Sequence, residues 1–126
     1  MSTARPLIAI VDDEESVRVA MHRLMRSAGL DVETFPSGVE FLASMQTHHP
    51  DCVVLDLHMP QINGFEVQSH LAKCKPPVPV VIITGHDTPE ARARALAGDA
   101  SAYLLKPVDD CMLLDAIAGA ISRQQR

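Results

Sequence analysis

Short runs of consecutive apolar residues recur along the chain, and each stops at a polar or charged residue. Leu7 to Val11 ends in Asp12-Asp13-Glu14-Glu15, Cys52 to Leu55 ends in Asp56, Val80 to Ile83 ends in Thr84-Gly85, and Tyr103 to Leu105 ends in Lys106-Pro107. Runs of this length, rich in β-branched residues, are those of strands buried on both faces. Between them the period changes. Val17, Ala20, Met21, Leu24, Met25 and Ala28 follow the spacing of an amphipathic helix that Gly29 ends at C′. Leu30 to Phe35 predicts a short strand, and Ser37 with Glu40 has the capping-box spacing for a helix to about Met45. Asn63-Gly64 predicts a turn that admits positive φ, before a third helix marked more weakly by Phe65, Val67, Leu71 and Cys74. Pro76, Pro77 and Pro79 block its extension. Thr88, Pro89 and Glu90 give an N-cap, a proline at N1 and an acidic first turn for a fourth helix that closes near Gly98. Asp109 or Asp110 caps the last helix, whose inner face is Leu113, Leu114, Ile117, Ala120 and Ile121.

Five strands alternating with five helices imply a parallel sheet covered on both faces, because each parallel crossover needs a long connection. The predicted class is doubly wound α/β, flavodoxin-like, with strand order 2-1-3-4-5. That order sets the first and third strands side by side, so Asp12, Asp13 and Asp56 converge at the carboxyl edge where ligands bind. Thr84 and Lys106 border the same crevice.

At 126 residues the chain is expected to form one domain with a single core, residues 122–126 being a tail or the start of a linker. The content of 47% apolar and 21% charged residues is that of a globular protein. No stretch approaches a signal-peptide core or a membrane span, which points to a cytosolic protein without a membrane partner. Cys52, Cys74 and Cys111 are odd in number and set among apolar residues, a pattern of buried reduced thiols. A net charge of -5 argues against nucleic-acid binding by this domain. The six histidines lack metal-ligand spacing, and Arg92 and Arg94 read as solvated.

Carboxylates about 5 Å apart repel by about 3 kcal/mol per pair at an effective dielectric near 20, so the cluster calls for a cation. Hard oxygen ligands at a partly open site suit Mg²⁺. Lys106 adds a point charge and Thr84 a hydroxyl, groups that hold phosphoryl oxygens. Asp12-Asp13, Asp56 with Met59-Pro60 and Asn63-Gly64 after it, Thr84-Gly85, and Tyr103 three residues before Lys106-Pro107 occur in order over nearly the whole chain. With these motifs the chain resembles the CheY-like receiver domains of response regulators, FixJ-type receivers above all. The resemblance implies a two-component signalling switch and no enzyme beyond its own phosphorylation and dephosphorylation. Asp56 would accept a phosphoryl group from a sensor histidine kinase or a phosphotransfer protein. Asp13, Asp56 and the His58 backbone carbonyl would bind Mg²⁺, with Asp12 acting mainly through water. Thr84 and Lys106 would contact the phosphoryl oxygens, Tyr103 would be the aromatic switch, and the Lys106-Pro107 bond would be cis. A phosphorylation-dependent homodimer would use the fourth helix, fifth strand and fifth helix. Asp99 departs from the alanine of many relatives, and His58 and His86 occupy positions that vary in the family.

Three rival functions share parts of this pattern, of which a flavodoxin-type flavin carrier lacks its Gly- or Ser/Thr-rich phosphate loop after the first strand. A Mg²⁺-dependent phosphohydrolase of the haloacid-dehalogenase type also uses a strand-end aspartate, but its second acid two residues on is replaced here by His58. A receiver-like interaction module that never takes up phosphate is opposed by the intact set of site residues.

Overall fold

The computed structural model of the protein describes residues 5–124. Its elements alternate as β1 (Leu7–Val11), α1 (Glu15–Ser27), β2 (Asp31–Phe35), α2 (Gly38–Ser44), β3 (Cys52–Asp56), α3 (Gly64–Ala72), β4 (Val80–Thr84), α4 (Pro89–Ala97), β5 (Ala102–Leu105) and α5 (Asp110–Gln124). The strands form one parallel sheet in the order β2-β1-β3-β4-β5, as the alternation predicts. Continuous apolar runs are explained by burial from both sides: every residue of β3 and β4 is buried.

The pleat divides those runs between two cores. Ala9, Val11, Val53, Leu55, Val80 and Ile82 pack with Phe41 of α2, Val67 and Leu71 of α3 and Ala95 of α4. Ile8, Ile10, Val54, Val81 and Ile83 pack with Met21 and Met25 of α1 and Leu113, Ile117 and Ala120 of α5. Side-chain parity therefore decides which helices a strand-end residue addresses. Tyr103 lies with the first group and its neighbours Ala102 and Leu104 with the second.

Several local expectations change once the chain is folded. Asn63-Gly64 is not a positive-φ turn. Asn63 is the N-cap of α3, its side chain accepting from Glu66 N while Glu66 Oε1 accepts from Asn63 N, at 3.0 and 3.1 Å. Gly64 is needed for space, since a Cβ there would lie 2.6 Å from the Asp56 carbonyl oxygen and 2.7 Å from Leu57 Cα. At Ser37 only half of the capping box forms: its hydroxyl accepts from Glu40 N at 3.2 Å. Asp109, rather than Asp110, caps α5 by accepting from Met112 N at 3.0 Å.

Gly29 does end α1 at C′, with φ +80°. In α4 the corresponding left-handed residue is Asp99, at φ 68°, and Gly98 precedes it at the C-cap with φ -86°. Ala100 N donates to Ala95 O and Asp99 N to Leu96 O, a Schellman closure. Only Cys52 is a buried thiol, its pKa pushed up to about 12 by burial; Cys74 is half-buried and Cys111 exposed. Of residues 122–126, expected to be a tail or the start of a linker, Ser122 to Gln124 continue α5, while Gln125 and Arg126 lie outside the described residues. No helix among the described residues is long and apolar enough to cross a membrane.

Gly64→Ala is expected to lower stability by about 1–3 kcal/mol, because backbone atoms must give way. Gly29→Ala, with open space but positive φ, should lose about 1 kcal/mol. Urea unfolding of both variants checks the order, and equal losses would show that the Asp56-Leu57 backbone yields freely.

Candidate functional site

Register brings the strand ends together. Val11 pairs with Leu55, Asp56 with Ile83, and Thr84 with Leu105, so residues following these pairs line one edge. Main-chain bonds carry that alignment past the strands: Asp12 N to Phe35 O at 3.1 Å, Leu57 N to Ile83 O at 3.2 Å and Lys106 N to Thr84 O at 2.9 Å. Carboxylate oxygens of Asp12, Asp13 and Asp56 come within 4.8 Å of one another. Asp12 and Asp56 are buried and Asp13 is exposed, so the cluster has a solvent-facing side.

Lys106 Nζ lies among these acids, 2.9 Å from Asp12 Oδ2, 2.8 Å from Glu14 Oε1 and 3.6 Å from Asp56 Oδ2. Asp12 Oδ1 accepts from Glu14 N at 2.8 Å, whereas Oδ2 is buried and has no aligned hydrogen bond, only the ammonium beside it. Asp56 Oδ1 accepts from His58 N at 3.3 Å. Burial first, and then the Asp12 charge, push the Asp56 carboxyl up to about 7 against the opposing pull of Lys106. Burial disfavours the Lys106 charge, but the hydrogen bond that Lys106 donates to Glu14, together with the Asp12 and Asp56 carboxylates beside the ammonium, outweighs it and raises its pKa. The hydrogen bond to Lys106 lowers the pKa of Glu14.

Residues 8–118 match the family described as the response regulator receiver domain. The chain belongs to that family. Nodulation protein W of Bradyrhizobium diazoefficiens is 34% identical over 99% of this chain and 55% of its own length. Among solved structures, a response regulator receiver protein from Burkholderia phymatum has 42% identity and a TM-score of 0.84, covering 94% of this chain and 96% of that one. A CheY-like receiver domain from Methanospirillum hungatei has a TM-score of 0.91 at 25% identity, covering 97% and 98% of the two chains. The chain spans about half the length of the curated relatives it matches first. Receiver domains are the signal-receiving parts of two-component response regulators, and this one carries their acidic cluster.

In this receiver domain Thr84 is fully buried, its hydroxyl accepting from His86 N at 3.0 Å and donating to His86 O at 3.2 Å. His58 and His86, from the two loops above the site, meet edge to face with ring centres 5.3 Å apart. The Lys106-Pro107 peptide is cis, as the resemblance implies. Tyr103 stands apart from the carboxylates, under α4. Arg92 covers its ring, 4.7 Å from the centroid, and pairs with Asp87 at 3.1 Å. The Tyr103 hydroxyl is buried without a hydrogen-bond partner, and burial, followed by the Asp87 carboxylate, raises its pKa. Neither Arg92 nor Arg94 is simply solvated, for Arg94 lies 4.2 Å over the Phe65 ring.

Three contributors escaped the sequence reading. Glu14 belongs to the acidic run already noticed, yet only the fold shows that it reaches Lys106. Arg18 Nη1 donates to Asp12 O at 2.8 Å from the first turns of α1. Gln68 of α3 is 4% exposed and donates to Ala95 O at 2.8 Å, a buried contact that no local pattern signals.

Asp56 titrates near 7 in the folded, cation-free protein and near 3.8 otherwise, so the native state holds the extra proton between these values. Its contribution to stability is therefore present at low pH and lost as pH rises from about 4 through about 7. In EDTA, Asp56→Asn should be more stable than wild type at pH 8, on the order of 2 kcal/mol, and the difference should shrink at pH 5. Denaturant unfolding at both pH values checks this; a pH-independent difference would deny that burial and the Asp12 charge raise the Asp56 pKa.

Proposed function

We propose that Asp56 is the phosphoacceptor of this receiver domain, taking a phosphoryl group from a phosphohistidine of a sensor histidine kinase or phosphotransfer protein. The observation that carries the reading is the setting of Asp56: a buried carboxylate at the end of β3, crowded by Asp12 and Asp13 and 3.6 Å from the Lys106 ammonium. In the transfer an Asp56 oxygen forms the new P–O bond as the donor's P–N bond breaks, and the leaving imidazole takes up a proton. Catalysis of this kind needs positioning and charge neutralisation more than further chemistry.

The donor set fits a hard divalent cation, since all the side-chain ligands are oxygens and Asp12 Oδ2 lacks an aligned hydrogen bond. Asp13, Asp56 and the His58 carbonyl would hold Mg²⁺, with Asp12 acting mainly through water. Bound there, Mg²⁺ would neutralise phosphoryl oxygens and favour the ionised Asp56 carboxylate. Lys106 stabilises the same charge from the β5 side. The Thr84 hydroxyl gives up its bond to His86 O in order to donate to a phosphoryl oxygen. Tyr103, on the same sheet face as α4, fills space that this shift opens.

The domain is then a switch with only its own phosphorylation and dephosphorylation chemistry, one unit over residues 1–126, working in the cytoplasm where kinases have ATP. An output surface is supported on α4, β5 and α5, which expose Leu96, Leu105 and Met112 at 54%, 47% and 58%. Exposed apolar side chains on these elements fit a phosphorylation-dependent homodimer. The acidic net charge of -5 supports no direct nucleic-acid contact by this domain.

With acetyl phosphate and Mg²⁺, intact mass should show one phosphoryl adduct on wild type and none on Asp56→Asn. An equal yield on Asp56→Asn would remove Asp56 from the role. Mg²⁺ at one hundred times its dissociation constant should stabilise wild type by about 2.7 kcal/mol. Asp13→Ala should lose most of that gain in thermal melts, and an undiminished rise would place the cation elsewhere.

A further inference from the structure

The two ends of α4 are held very differently. At its C-terminal end the Gln68 carboxamide, 4% exposed, donates from Nε2 to Ala95 O at 2.8 Å across the interface with α3. Ala95 O already accepts from Ala100 N in the Schellman closure, so Gln68 supplies a second bond to a helix-terminal carbonyl. The fit is tight: a Cβ on Gly98 would lie 2.7 Å from Gln68 Nε2. Ala95 is the buried residue of α4, and Arg94 stacks 4.2 Å over Phe65 of α3 beside it. At the N-terminal end, Pro89 and Glu90 are exposed and the Arg92-Asp87 pair is solvent-facing, at 47% and 35%. That end follows directly from the Thr84-His86 bonds. A buried amide bond is costlier to break than an exposed ion pair.

We infer that Gln68 is a positioning residue for the switch, fixing the C-terminal turn of α4 so that the helix responds to Asp56 and Thr84 by moving its N-terminal turn about that anchor. The inference rests on the Asp56 and Thr84 reading above. Motion is thereby concentrated at Asp87, Arg92 and the Tyr103 ring they flank. Without the anchor, the same displacement spreads along the whole helix and is less concentrated on Tyr103.

Amide NMR of the full chain with Mg²⁺, before and after beryllofluoride, decides it. In wild type, shift changes at Gly85 to Arg92 should exceed those at Ala95 to Ala100 severalfold, and Gln68→Leu should extend large changes through Ala95 to Ala100. Wild-type changes of equal size at both ends would overturn the anchor, whether or not Gln68→Leu folds. So would a Gln68→Leu protein that keeps the wild-type gradient. If beryllofluoride leaves the amides around Asp56 unaltered, the phosphoacceptor reading falls, and the inference falls with it; an even response with Asp56 perturbed removes the anchor alone.

Discussion

The crowding of negative charge at the end of β3 is the constraint to which the rest of the structure answers. Asp56 and Asp12 are buried beside each other, with Asp13 close by, and the Lys106 ammonium is the nearest counter-charge. Such a group is poorly stable alone, and that makes it receptive: a divalent cation or a phosphoryl group with its counter-ions relieves strain that the folded chain has already accumulated. The energy comes from the two apolar cores, which hold five strand ends in register however unfavourable their tips.

Side-chain parity then places the charged strand ends and the Thr84-Tyr103 pair on opposite faces of the sheet. Asp12, Asp56 and Lys106 follow strand positions whose alternate residues face α1 and α5. Thr84 follows the opposite parity in β4, sharing its face with Val80 and Ile82, and Tyr103 packs on that face. On the proposed reading, the buried Thr84 hydroxyl, by exchanging one acceptor for another, connects the charged edge to the α4 side of the sheet. On the same reading, sheet rigidity would make the response a change of local partners, with the core left in place.

Helix ends carry much of this specificity. Asn63 and Glu66 close the start of α3 directly after the loop that leaves Asp56, and Gly64 lets that helix approach the Asp56 carbonyl. The far end of α4 is closed by Ala100, Asp99 and, from another helix, Gln68. Asp99 takes the left-handed conformation just beyond α4, and Gly98 provides the clearance that Gln68 requires.

Period and punctuation in the sequence determined the strands, the helices and their alternation, because a run buried on both faces and an amphipathic helix leave different local patterns. They also determined the residues at the strand ends, and with the parallel order came the convergence of Asp12, Asp56 and Lys106. What tertiary structure alone decided are contacts between residues far apart in the chain: Glu14 on Lys106, Gln68 on Ala95, Arg92 over Tyr103. The exposure of Cys111 and the roles of Gly64 and Gly98 belong with them. Local sequence encodes backbone preference and burial, whereas these features depend on which surfaces meet after folding, and no short window of the chain contains both partners.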